Sequence, residues 1–426
     1  MENLFINPER EQWKGIIKRP AFDYAILERI VHPILEDVKT NGDVALQKYS
    51  AQFDGVHLED FKVTAAEIKN AVIVVNEELK NAIGLAIKNI TTFHTAHTEP
   101  LVKIETTPGV MCWRKPVAIE SVGLYIPGGT APLFSTLLML AIPAQIAGCK
   151  NIIVCTPCDK NGNVHPSILC TANILGINNI YKIGGAQAVA AMAYGTESVP
   201  RVYKIFGPGN QYVTSAKQLV SRQGIAIDMP AGPSEVAIYA DDTAVPSFIA
   251  SDLLSQAEHG VDSQVVLVAS SKKIVEEVQQ QVSIQLAVLP RKAIAEKALI
   301  HSRWVVMQDV NNAFDFLNAY AAEHLIIASE QAVQMTEKVI NAGSVFLGNY
   351  SPESAGDYAS GPNHTLPTNG YATAYSGVSV DSFVKKITFQ QLSKEGLQNI
   401  GTAVQTMAAA EGLAAHKNAV TIRLKT

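Results

Sequence analysis

The sequence predicts an α/β fold built on parallel sheets, and three observations carry that prediction. From Ser121 onward, short runs rich in β-branched residues alternate with helix-length segments, the pattern of βαβ units. Nearly every such run ends in a turn dense in Gly and Pro. Before Ser121, from about Glu28 to His97, apolar residues keep helical spacing instead.

In chain order, Ile30, Ile34 and Val38, then Ala45, Leu46 and Tyr49, repeat at helix spacing, and 71–92 is a long amphipathic run. This makes a helical lead-in. Strands are then predicted over 121–126, 151–155, 180–183, 203–206, 235–239 and 264–268. The helices between and after them fall over 133–147, 166–175, 186–194, 211–222, 246–258 and 273–288. The last strand of the series is 345–347, followed by a polar loop over 348–375 whose length suits a functional segment. Residues 380–389 regain β character, 391–416 reads as a helix with Leu397, Ile400 and Val404 on one side, and 419–424 reads as a short strand. A small C-terminal module therefore begins near Val380.

The 426 residues are 47% apolar and 17% charged, enough to bury a sizeable core in two to four domains. A net charge of −5 gives no field for gripping phosphate backbones, so no nucleic-acid partner is expected. The most apolar window, 134–147, is broken by Pro143 and Gln145 and is too short to span a bilayer, so no membrane partner is expected either. The first thirteen residues carry no apolar leader, and the five cysteines are clustered and odd in number. Both suit a cytoplasmic protein with reduced thiols. Cys155 and Cys158 have C-x-x-C spacing but no second pair to complete a metal site.

The turns Pro127-Gly128-Gly129, Gly184-Gly185-Ala186, Gly207-Pro208-Gly209-Asn210 and Pro230-Ala231-Gly232-Pro233-Ser234 are candidate cofactor contacts. Small residues there would let backbone N–H groups approach an anion. None completes G-x-G-x-x-G, so tight turns without a ligand remain the alternative.

Four polar groups could carry chemistry. Gln256 and His259 are three apart at a helix end, either facing a metal or simply capping an exposed terminus. Glu323-His324 abuts the apolar run Leu325-Ile326-Ile327. Burial there would raise the carboxyl pKa and lower the imidazole's, bringing both toward neutrality, unless the pair is a surface turn. Asp357 and His364 lie in the polar loop, suited to a divalent ion or a substrate clamp. Glu411 and His416 are five apart across Gly412 and taken alone read as surface residues. His32, His57, His94, His97, His165 and His301 lack such company and read as structural or solvated.

Taken together, the turns and the Gln-Ala-Glu-His, Glu-His-Leu and Ser-Ala-Gly-Asp-Tyr segments resemble the histidinol dehydrogenase family, from Phe93-His94 through Gly123–Gly129 to His416-Lys417-Asn418-Ala419-Val420. The resemblance implies two incomplete Rossmann-like domains, a helical N-terminal arm (1–25) and a small C-terminal domain (380–426). It assigns 26–124 and 235–379 to the first domain and 125–234 to the second. It implies oxidation of L-histidinol to L-histidine with NAD and one zinc ion, Zn2+, per site. Gln256, His259, Asp357 and His416 would be the zinc ligands and Glu323 and His324 the acid–base residues. Ser234, His364 and Glu411 would contact substrate; Tyr125, Gln187 and Asn210 would contact NAD. It further implies a homodimer in which the C-terminal domain completes the partner's site. One local departure is Ala321-Ala322 before Glu323, where a more turn-like pair is expected.

Removing four electrons from a primary alcohol takes two hydride transfers and one water. On this reading His324, neutral near pH 7, takes the hydroxyl proton and Glu323 activates water for the aldehyde, while zinc orients the substrate's imidazole and amino nitrogens. A thiohemiacetal on Cys112 or Cys149 is a less economical route for the aldehyde step. A zinc hydrolase with the same ligands would leave the glycine turns unexplained, and a binding protein without chemistry would not need both Glu323 and His324.

Overall fold

The computed structural model describes residues 3–20, 24–128, 131–230 and 232–425. Gly129 and Ala231, members of two of the expected turns, lie outside the described residues. In chain order the elements are β1 (Leu4–Ile6), α1 (Arg10–Ile16), α2 (Tyr24–Tyr49), α3 (Ala65–Val74), α4 (Glu77–Ala96), β2 (Lys103–Thr107) and β3 (Val110–Ala118). Next come β4 (Ser121–Tyr125), α5 (Phe134–Ala147), β5 (Asn151–Thr156), α6 (Pro166–Ile174), β6 (Ile180–Lys182), α7 (Gly185–Tyr194), β7 (Lys204–Phe206), α8 (Gln211–Ser221) and β8 (Ala226–Ile227). The second α/β stretch holds β9 (Glu235–Ala240), α9 (Pro246–Ala257), β10 (Gln264–Ala269), α10 (Lys272–Val288), α11 (Lys292–Leu299), β11 (Arg303–Val306), α12 (Val310–Tyr320), β12 (His324–Ala328) and β13 (Ser344–Leu347). The chain ends with α13 (Glu353–Tyr358), β14 (Val384–Leu392), α14 (Lys394–Ala410) and α15 (Ala414–Lys425).

Strands β1 and β4 to β13 form two parallel sheets, of order β6-β5-β4-β7-β8 and β1-β11-β10-β9-β12-β13. Numbered within its own stretch, each follows the order 3-2-1-4-5, a Rossmann-type order without its sixth strand. That repetition is why both halves read alike in sequence, and why each is an incomplete relative of that arrangement. In both sheets the order reverses beside the first strand, between β4 and β7 and between β9 and β12.

Helix α5 explains the apolar window without a membrane. Ser135 to Ala144 are all buried, because one side faces the sheet and the other, at Leu138, Met139 and Ile142, packs on Ile83, Ala86 and Ile90 of α4. A helix apolar all round is a core helix when it is covered on both sides. Among the described residues no helix is long and apolar enough to cross a membrane.

The packing revises several expectations. Helix α2, kinked at Gly42, packs Val31, Leu35, Val38 and Leu46 among Val189, Ala190 and Val213; α3 packs Ile68 and Ala71 near Ile168 and Leu169. Residues 24–96 therefore cover the sheet of 121–227 rather than that of 235–347, with which the expected division had joined them. The N-terminal arm is part strand, since β1 pairs with β11. Strands β2 and β3 carry no apolar run of the kind that marks the parallel strands, because β2 is mostly exposed and β3 only partly buried; with β14 they make a three-stranded antiparallel sheet, so the C-terminal module leans on residues 103–118. Residues 419–424 are helical, not a strand: Gly401 of α14 lets Leu424 and Val420 of α15 approach, and that contact overrides the β-branched bias of Val420, Thr421 and Ile422. The expected helix 391–416 starts at its Ser393 N-cap and breaks at Gly412, φ 74°. The polar loop contains α13.

His94 on α4 is buried with its Nε2 unpartnered, and burial, helped by His97, pushes its pKa down to about 4. Above pH 6.5 it is neutral folded or unfolded, so nothing is lost. Between about 6.5 and 4 the unfolded chain gains a proton that the folded chain refuses, so stability falls as pH falls. His94→Leu is expected to flatten this acid limb by up to about 1.4 kcal/mol per pH unit, read from urea midpoints at pH 7, 6 and 5.

Candidate active site

Strands β9 and β12 lie side by side with His324 opposite Val236, which sets Glu323 beside Glu235 at the amino ends of the pair. The Glu235 N–H donates to Glu323 Oε2 at 2.9 Å, and the Glu235 carbonyl receives His324 Nδ1 at 3.3 Å. Both side chains are buried. The surface-turn alternative for Glu323-His324 is thereby removed.

Facing the imidazole are Asp357, whose Oδ1 is 3.6 Å from His324 Nε2, and Glu353, whose Oε1 is 3.9 Å from Nδ1. These two carboxylates, one helical turn apart on α13, and His259, just past α9, offer ligand atoms within 4.8 Å of one another. Gln256 joins them: with its amide turned to suit its neighbours it donates to Glu353 and accepts from the Glu235 N–H at 2.8 Å. A cavity of about 250 Å³ lined by His324, Phe346, Tyr350, Asp357 and His364 adjoins the cluster. His364 hydrogen-bonds through Nδ1 to the Asp357 carbonyl at 2.8 Å, and its Nε2 meets Thr136 Oγ1 of α5 at 3.2 Å.

Three acidic groups around one imidazole decide its charge. Burial pushes Glu323 up to about 8. Burial would lower His324, but Glu353, Glu323 and Asp357 outweigh it and raise the imidazole to about 10. The expected downward pull of burial on His324 is thus outweighed, because sequence showed Asp357 but not that it and Glu353 close over the ring. Burial holds Glu353 well above the ordinary carboxyl range, whereas the His324 contact overcomes burial at Asp357 and lowers it.

Donor chemistry fits a cation. Glu353 Oε2 is buried without a partner, and an excess of buried carboxylate is costly unless a positive charge compensates it. One imidazole nitrogen with two carboxylates suits zinc or a similar divalent ion, and Gln256 would add its amide oxygen once that oxygen, rather than the NH2 group, faces the ion. Of the expected ligands, Gln256, His259 and Asp357 converge. His416 does not, nor does the expected substrate contact Glu411: both are exposed on the α14–α15 hairpin. Ser234 immediately precedes Glu235 and is half-buried. Glu353 is not among the expected residues: Pro352 before it and its i,i+4 spacing to Asp357 are the one sequence signal, too short a run to mark a helix face.

The other expected contacts lie at the carboxyl ends of β4, β6 and β7, about the reversal point of their sheet, where open α/β sheets bind ligands. Tyr125 accepts the Gly185 N–H at 3.2 Å. Gln187 is buried with Oε1 unpartnered. Asn210 caps α8, accepting from the Tyr212 and Val213 N–H groups at 3.0 and 3.1 Å. Gly207, at φ 123°, admits no side chain because a Cβ would strike the Tyr125 carbonyl. Its N–H donates to Asp228 at 2.8 Å and its carbonyl accepts from Lys217 at 2.9 Å, with the two side chains ion-paired. These turns and an orphaned amide oxygen at a helix N-terminus fit a dinucleotide. Helix α5, which starts beyond the β4 turn, carries Thr136 to His364 and so joins this edge to the acid–imidazole site at the amino edge of the other sheet.

The cysteines take no part in the cluster. All five are free thiols, and burial pushes Cys149 and Cys158 up to about 11 and Cys155 higher still.

Such an arrangement, proton-transfer groups walled off from water beside a nucleotide-type edge, belongs to the α/β oxidoreductases. The sequence profile of the histidinol dehydrogenase family matches residues 17–424. A histidinol dehydrogenase from Bacteroides thetaiotaomicron is 58% identical over 426 residues, all of both chains. One from Escherichia coli K12 is 51% identical over 417 residues, 97% of this chain and 95% of the other. The crystal structure of histidinol dehydrogenase from Elizabethkingia anophelis superposes with a TM-score of 0.97 at 56% identity, covering 99% of this chain and 98% of that one. The chain belongs to the histidinol dehydrogenase family.

Proposed function

We propose that this protein oxidises L-histidinol to L-histidine through the aldehyde, reducing two NAD, in histidine biosynthesis. The observation that carries the reading is Glu323-His324 buried against the His259–Glu353–Asp357 cluster in a chain of this family. Tyr125, Gln187 and Asn210 would hold NAD, which supplies the hydride acceptor for each oxidation. Gln256, His259, Asp357 and the partner subunit's His416 would hold zinc, which when bound anchors the substrate's imidazole and amino nitrogens and offsets the carboxylate field on His324.

Within that frame the chain's own groups divide the work. His324, with Nδ1–H held by the Glu235 carbonyl, presents Nε2 to the substrate hydroxyl and takes its proton as hydride leaves the carbon. Glu323, held by the Glu235 N–H and ionised once the bound cation offsets the burial that raises its carboxyl, takes a proton from water as that water adds to the aldehyde carbonyl. His324, having returned its first proton to the aldehyde oxygen as the water adds, then receives the hydrate's hydroxyl proton as the second hydride leaves. Ser234 and His364 line the substrate, and burial keeps bulk water from the aldehyde between steps. Glu353 holds Gln256 by hydrogen bond.

The exposed hairpin is what supports a dimer. His416 and Glu411 are exposed, on a hairpin that also exposes Met407, Leu413 and Ile422. Docked on a second copy, the hairpin would cover that apolar surface and deliver the two polar groups to the partner's site.

Purified protein given L-histidinol, NAD and zinc is expected to form two NADH per L-histidine; prior chelation is expected to abolish turnover and zinc to restore it. A zinc hydrolase would form no NADH, and that result would refute the proposal.

A further inference from the structure

Arg19 follows α1, in a segment with no expected part in the chemistry. Its Nε and Nη2 fork onto the Glu235 carboxylate at 2.5 and 2.9 Å, and Nη2 also donates to the Tyr320 carbonyl at 2.5 Å. The guanidinium carbon lies 4.1 Å from the Tyr320 ring centroid. The Glu235 side chain is 2% exposed and also accepts the Asn369 N–H at 2.8 Å. Its carboxylate is thus fully occupied in holding position, while its backbone serves the site: N–H to Glu323, carbonyl to His324.

The second anchor is as direct. Tyr320 ends α12, and Ala321 after it is left-handed, φ 51° and ψ 63°. That conformation is disfavoured for a residue with a Cβ, and from it the chain turns into Glu323-His324. One planar fork therefore ties the start of β9 to the corner that launches β12. A guanidinium can do this because its donors are fixed in one plane; an ammonium on a flexible stem cannot.

We infer that Arg19 is a positioning residue for catalysis: through Glu235 and the Ala321 corner it holds Glu323 and His324 at working distance from each other, and keeps His324 Nδ1 on the Glu235 carbonyl so that Nε2 faces the substrate. The inference rests on the reading of Glu323 and His324 as the acid–base pair. It makes the N-terminal arm part of the active-site support.

The test compares Arg19→Ala, Arg19→Lys and Arg303→Ala in the full-length enzyme. Arg303 binds the same arm, donating from Nε to the Ile16 carbonyl at 3.0 Å, but does not touch Glu235. Misplacing reacting groups by about 1 Å costs on the order of 10²-fold. Both Arg19 variants are therefore expected to lose about that factor in kcat for histidinol and for histidinaldehyde, with KM for substrate and NAD changed by less than about threefold. Millimolar guanidinium is expected to restore Arg19→Ala by about tenfold or more and to leave Arg19→Lys unchanged. Arg303→Ala is expected to keep kcat within about threefold. Should Arg19→Ala fail to fold, Arg19→Lys decides. Wild-type kcat in Arg19→Lys, a loss confined to KM, or an equal kcat loss in Arg303→Ala would overturn the inference. An inactive wild type would instead defeat the functional reading beneath it.

Discussion

Glu323→Gln is expected to separate the two oxidations. Gln keeps the side chain's shape and can still accept the Glu235 N–H, but it cannot take a proton from water. Hydration of the aldehyde should therefore slow by about 10²–10⁴-fold, the usual worth of a positioned base, while alcohol oxidation changes by less than about tenfold. In a single turnover from L-histidinol one NADH should appear quickly and the second slowly. His324→Ala, which removes the group assigned to both hydroxyl protons, is expected to slow both steps by about 10²–10⁴-fold. Equal losses of the two steps in Glu323→Gln would show that Glu323 is not the hydrating base.

The second large effect is complementation between two inactive variants. His259→Asn removes a ligand-type nitrogen from the cluster on its own chain; His416→Asn removes an exposed imidazole from the hairpin. Each alone is expected to fall by at least about 10²-fold, since a positioned substrate is worth far more than that in effective concentration. Co-expressed, the two chains should pair at random. Each mixed dimer of an isologous pair then contains one site with both groups intact, so activity should return to about a quarter of wild type. If His416 worked within its own chain, no mixed dimer could hold an intact site and nothing would return. Full activity of His416→Asn alone would remove it from the site altogether.

Sequence read the parallel sheets well because their strands are buried on both faces and bounded by Gly and Pro: β4, β5, β9 and β10 are buried almost throughout. It missed β2 and β3, whose half-exposed faces show no such run, and mistook α15, whose helical form is set by packing on α14. Within the site, Gln256, His259 and Asp357 were legible and do converge. Glu353 was not, because a six-residue helix inside a polar loop leaves little periodicity to detect. The charge of His324 was not legible for a different reason: it depends on which carboxylates fold over the ring. The same holds for Arg19, separated by more than two hundred residues from the carboxylate it binds.

The central claim is that one buried cluster both receives the cation and faces the acid–base pair. Anomalous diffraction at the zinc edge from crystals of the zinc-loaded enzyme with L-histidinol locates the ion directly. The account predicts one peak per site within bonding distance of Gln256, His259 and Asp357 and of the partner subunit's His416, next to His324. A peak elsewhere on the chain, or no peak there in protein that forms NADH from L-histidinol, would contradict it.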